Sequence, residues 1–198
     1  MNDPTSAPPP SPSTLSEADR ALLAHAAELH RPLARAAKIA NGNGLGYVIF
    51  GGLSLMFSLV GFDVVGLAIG AVLLGVGLFE RKQAAHLLRA DAQAPLRLAR
   101  GELVLLAAIV VYALLCLLVL PSAGDELKKQ LHETRSMGID VQRLADSMAR
   151  AWYGTVIAVS LLYQGGMARY FQRRGADVTK YVGGVPAWAR KFVESMAR

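Results

Sequence analysis

Four histidines, one cysteine and three serines set in apolar runs are the side chains with most chemistry to offer: His25, His30, His86, His132, Cys116, Ser54, Ser58 and Ser160. A metal centre needs its ligands on one helix face or paired across a short turn. His25 and His30 stand five apart, a poor fit to one face, and no HExxH or CxxC spacing occurs. Surface histidines and no metal are the expectation. A nucleophilic serine needs a base at its own depth, and no His, Asp or Lys stands mid-run beside Ser54, Ser58 or Ser160. These hydroxyls are expected to bond backbone carbonyls or neighbouring helices instead. Asn41-Gly-Asn-Gly-Leu-Gly46 has the glycines of a phosphate loop without the spacing or a preceding strand, so it reads as a helix end and linker. Lone Cys116 can close no internal disulfide. The chain is expected to bind no cofactor and to be no enzyme. Chemistry on lipid head groups would lack an acid–base pair.

Ionisable groups in the middle of an apolar run would mark an ion or proton path. None stands there. Asp63 falls in a turn, Arg100 and Glu102 begin a run, and Gln164 fits a hydrogen bond between helices.

Small residues give the positive pattern. Gly66 and Gly70 form GxxxG with Gly77 seven further on; Ala71 and Gly75 repeat the spacing, as do Ser54 and Ser58. Ala151, Ala158 and Gly165 recur every seven, with Gly154 beside them. In lipid, close approach of backbones at such residues drives helix association. The pattern serves packing within one chain or an interface with another.

The elements carrying these residues are helices in a membrane. The chain has 198 residues, is 53% hydrophobic and only 18% charged, against about a quarter charged in a soluble domain; its mean hydropathy is +0.34. Residues 1–13 are Pro/Ser-rich and predicted to be disordered. They lack the basic and apolar regions of a cleavable signal. Thr14-Leu-Ser-Glu17 has capping-box spacing, and Leu15, Ala18, Leu22, Ala26, Leu29 and Leu33 give the following cytoplasmic helix, 14–43, a weak apolar stripe. Pro32 should kink it or restart it. From Gly44 to Phe79 one straight helix would run roughly 54 Å, well beyond a hydrocarbon core of about 30 Å. Gly61-Phe-Asp63 divides it into spans at about 45–60 and 64–80, with a re-entrant hairpin as the alternative. Asp91 and Pro95 predict a break before a third span at about 103–120, ended by Pro121. A helical loop, 121–150, leads to a fourth span at about 151–168. In the 173–198 tail, Trp188, Phe192 and Met196 beside Arg190 and Lys191 predict an amphipathic helix lying on a membrane surface.

This is an all-α integral membrane protein: four transmembrane helices in a small bundle with flanking amphipathic helices. Lys and Arg near the span ends number twelve on the side of the termini against five opposite, which puts both termini in the cytoplasm. The general look is that of a bacterial inner-membrane protein. The net charge of +6 then serves anionic lipid head groups rather than nucleic acid, through Arg81, Lys82, Arg173, Arg174, Arg190 and Lys191. The expected role is a scaffold or accessory subunit packing against itself or another membrane protein. The alternative is an oligomeric passive pore or small-solute transporter.

Overall fold

The structure, a computed structural model, describes residues 15–118 and 141–196. Among them are five helices and no strand: α1 (Glu17–Gly61), α2 (Val64–Leu88), α3 (Ala94–Leu118), α4 (Val141–Gly184) and α5 (Ala187–Met196). Three, α1, α2 and α3, contain stretches long and apolar enough to cross a membrane. The Pro/Ser-rich N-terminus expected to be disordered and the helical loop through residue 140, with His132, lie outside the described residues.

The helix starts are set by short polar side chains. Ser16 caps α1: its Oγ accepts the Asp19 N–H at 3.2 Å, and the Asp19 carboxylate accepts the Ser16 N–H at 3.1 Å. The capping box therefore sits two residues later than Thr14–Glu17. The turns closing α1 and α2 share one design. Phe62 and Ala90 take left-handed φ of 52° and 53°. The next residue, Asp63 or Asp91, bonds back to the carbonyl five before it, the Schellman pattern. Each Asp carboxylate then accepts an N–H two residues on, from Val65 or Gln93.

One expectation fails. Asn41–Gly44 does not end a helix; α1 continues through it, and through Pro32, for 45 residues. Packing overrides the ~1 kcal/mol that each helical glycine costs. A Cβ on Gly44 would stand 2.7 Å from the Gly77 carbonyl and 2.8 Å from the Arg81 stem, so the glycine is where α1 and α2 touch.

The chain divides into two units. The first comprises Met1–Gly46, Gly77–Ala99 and Tyr170–Arg198. Its core is rich in alanine, with Ala26, Leu33, Ala36, Ala37 and Ala40 at helical spacing on α1, joined by Leu87, Leu98, Phe171 and Tyr181. The second comprises Tyr47–Val76 and Arg100–Arg169, and its surface is strongly apolar. Phe50, Phe57, Val60, Val104, Val111, Leu118 and Leu162 are all exposed. Only 17%, 22% and 22% of the three apolar windows are buried. So much exposed apolar surface needs lipid or protein against it.

Candidate functional site

In the second unit the small residues split into two sets. The inward set holds the α1–α2 hairpin together. A Cβ on Gly51 would meet the Leu74 nitrogen at 2.6 Å and the Gly70 carbonyl at 2.9 Å. One on Gly70 would meet the Leu55 nitrogen at 3.0 Å. The Ser54 hydroxyl donates to the Gly66 carbonyl at 3.3 Å, and Ser58 is buried, crowding Gly66 together with Asp63. Gly77, buried in the first unit, backs Gly44. Gly51 and Gly44, which do most of this, carry no GxxxG spacing to each other; what marks them is a shared face, seven residues apart.

The outward set has no such neighbours. Ala71, Gly75, Ala151, Gly154 and Ala158 are exposed, and Gly165 is half-buried. A Cβ on Gly75, Gly154 or Gly165 would meet nothing within 4 Å among the described residues. On α4 two polar side chains turn inward: Ser160 and Gln164 are buried while Val159, Leu161 and Leu162 face out. Gln164 Oε1 has no hydrogen-bond partner among the described residues, so the expected interhelical bond from that oxygen is not made. Also inward is Glu102, fully buried, whose Oε2 accepts the Tyr47 hydroxyl at 3.3 Å.

In the first unit, one sequence expectation is corrected. His30 is not on the surface. It is buried, its Nε2 is 3.0 Å from the Leu88 carbonyl, and its ring lies 5.2 Å from that of Tyr181. Position 30 falls four after Ala26 and three before Leu33, on the apolar stripe itself, which is the signal that was present. The tail helix α5 buries Ala189 and Val193. Trp188 and Phe192 flank that seam half-buried, and Met196 is exposed. The helix is amphipathic, and its buried line runs through Ala189 and Val193.

The cations also divide. Arg174 is engaged, its Nη1 2.7 Å from the Asp177 carboxylate and its guanidinium 4.6 Å over the Tyr170 ring. Arg190 is half-buried, with its Nε enclosed. Arg81, Lys82, Arg173 and Lys191 stay exposed. Arg81 alone of these four is oriented by a side chain of another helix, its Nε donating to Asn41 Oδ1 at 3.3 Å.

Tyr181 is fully buried and its hydroxyl has no partner among the described residues. Burial, reinforced by the Glu194 carboxylate and opposed by Arg190, pushes its phenol from near 10 up to about 12. Between those values the unfolded chain loses the phenol proton and the folded chain keeps it, so stability falls as pH rises through that window. Tyr181→Phe should remove this alkaline slope. At neutral pH it should leave stability unchanged or raise it by about 1 kcal/mol, because an unbonded buried hydroxyl is deleted. Thermal melts at pH 7 and 11 check both.

Comparison with protein-family models, curated proteins and solved structures finds no match to this chain. Among the described residues no three His, Cys, Asp or Glu come together as a metal site. What the arrangement offers is surface: exposed apolar faces with small-residue strips on the second unit, and exposed cations on the first.

Proposed function

We propose that the chain is a four-span protein of a bacterial inner membrane that acts by association, as a scaffold or accessory subunit, without catalysis. The observation that carries this reading is the exposed strip Ala151–Gly154–Ala158 on α4, seconded by Ala71 and Gly75 on α2. The inward glycines already serve the α1–α2 hairpin; the outward small residues are exposed among the described residues, and a Cβ on Gly75 or Gly154 would meet none of them within 4 Å. In lipid, a flat strip of this kind favours a second helix.

The fourth span is the middle of α4. Its 44 residues would extend roughly 66 Å at 1.5 Å per residue, so only part can lie in a core of about 30 Å. Residues 151–168 are that part: Ser160 and Gln164 point in while Val159, Leu161 and Leu162 point out. Trp152, Tyr153, Tyr163 and Gln164 make this segment less apolar than the other three. Aromatic residues at its start suit the membrane–water boundary. The excess of Lys and Arg on the side of the termini places both in the cytoplasm.

The test is a gentle detergent extraction with particle mass recorded for wild type and Gly154→Leu. Wild type should travel with a second copy or a stoichiometric membrane-protein partner. Gly154→Leu should lose that mass while keeping the wild-type melting temperature, since among the described residues nothing stands within 4 Å of the new Cβ. A wild-type protein that is a lone monomer under the gentlest conditions refutes the association reading.

A further inference from the structure

The geometry points to a head-group site for anionic phospholipid centred on Arg81, and this rests on the membrane reading above. Two residues of α1 fix the Arg81 side chain. Gly44 leaves room for its stem, which lies where a Cβ would come within 2.8 Å of Cγ. Asn41 holds Nε at 3.3 Å. Arg81 therefore reaches across from α2 to α1 with its aliphatic part seated and its head exposed. Among the described residues it has no acidic partner, in contrast to Arg174 on Asp177 and Arg97 near Asp91.

What surrounds Arg81 selects the ligand. Lys38, Asn41 and Leu45 stand at i, i+3 and i+7 on α1, and all are exposed. On α2, Leu78, Arg81 and Lys82 are exposed at i, i+3 and i+4. The two helices meet at Gly44 and Gly77, next to Leu45 and Leu78. Along α1 the exposed face passes from cation to apolar, and along α2 from apolar to cation. A ligand lying on both helices thus meets cations at one end and Leu45, Leu78 and Phe79 at the other. A phosphate with acyl chains has that polarity; a free phosphate uses only one half of it. Planar guanidinium suits a phosphate oxygen pair, and the position is where the second span emerges on the side predicted to face anionic lipid.

Native mass spectrometry of detergent-purified protein tests this. Phosphatidylglycerol or phosphatidylcholine is added, with Arg81→Gln and Arg89→Gln as variants. Wild type should retain phosphatidylglycerol at least fivefold over phosphatidylcholine. Arg81→Gln should lose most of that preference, and Arg89→Gln, an exposed cation elsewhere on the first unit, should keep it. Asn41→Ala, which frees the guanidinium without removing it, should fall between. Melting temperatures for all variants should match wild type. Equal loss in Arg81→Gln and Arg89→Gln would show diffuse attraction and overturn the site; so would an unchanged Arg81→Gln. Competition by millimolar inorganic phosphate would replace the lipid with a free anion and overturn it too. The same spectra report particle mass, so a failed lipid site and a failed association reading are told apart.

Discussion

Gly51→Leu should unfold the α1–α2 hairpin, with the destabilisation at or beyond the ~1–3 kcal/mol that core overpacking ordinarily costs. The new side chain would begin 2.6 Å from the Leu74 backbone nitrogen and 2.9 Å from the Gly70 carbonyl oxygen. Backbone atoms cannot swing aside as a flexible side chain can. The two helices would have to separate, and separation would also part the Ser54 hydroxyl from the Gly66 carbonyl. Gly52→Leu is the matched control. Gly52 neighbours Gly51, is exposed, and among the described residues has nothing within 4 Å of its Cβ position. It should express and melt like wild type, or slightly better, because leucine favours helix over glycine by up to about 1 kcal/mol. Yield of monodisperse protein and its melting temperature in detergent give the readout. Equal behaviour of the two variants would mean that the close approach at Gly51 does not hold the hairpin.

Leu162→Lys should be the second severe change, although it falls on a side chain 79% exposed. If α4 crosses a bilayer with Leu162 against lipid, a lysine at mid-span costs roughly 3 kcal/mol of insertion free energy. The segment has little margin to absorb that, because Trp152, Tyr153 and Gln164 already lower its apolarity. The expected result is a large loss of membrane-integrated protein. If this part of α4 stood in water, the same substitution would be within about ±0.5 kcal/mol of neutral, and solubility would improve. Gly183→Lys, exposed and beyond the span, should be silent either way. Fractionation of membranes after alkaline washing separates the two cases.

The parts of this fold readable in sequence are those in which local chemistry and packing agree. Asp63 and Asp91 both end one helix and cap the next, and the Gly61–Asp63 and Asp91–Pro95 breaks could be read from turn formers and charge. Where they disagree, packing decides. Asn41, Gly42 and Gly44 look like a helix end by propensity. They lie inside α1 because Gly44 seats α2 and Asn41 engages Arg81, interactions made with Gly77 and Arg81, 33 to 40 positions away, that no local window contains. His30 is polar by type yet stands on the Ala26–Leu33 stripe, and the Leu88 carbonyl, distant in sequence, gives its ring the partner that burial requires. Trp188, Phe192 and Met196 dominate a hydropathy reading of α5, yet Ala189 and Val193 form its seam.

The candidate sites were legible in a different degree. Spacing identified the small residues but not their direction: Gly66 and Gly70 turn inward and Ala71 and Gly75 outward, one residue or one turn apart on the same helix. Gly51, the glycine most closely approached by backbone of the facing helix, lies outside any small-xxx-small motif. Glu80 and Glu102 looked like boundary charges at the ends of apolar runs. Both are fully buried, which no composition window reveals, since burial depends on which face a neighbouring helix covers.

The central claim is that α4 crosses the membrane and returns the C-terminus to the side of the N-terminus. Cysteine accessibility measures this directly. In a Cys116→Ser background, single cysteines replace Ser16, Arg89, Arg150 and Lys191, and intact cells are treated with a membrane-impermeant maleimide. The account predicts labelling at position 150 alone, with positions 16, 89 and 191 labelled only after the membrane is opened. Labelling of positions 150 and 191 together in intact cells, with 16 and 89 protected, would mean that α4 does not cross, and would contradict it.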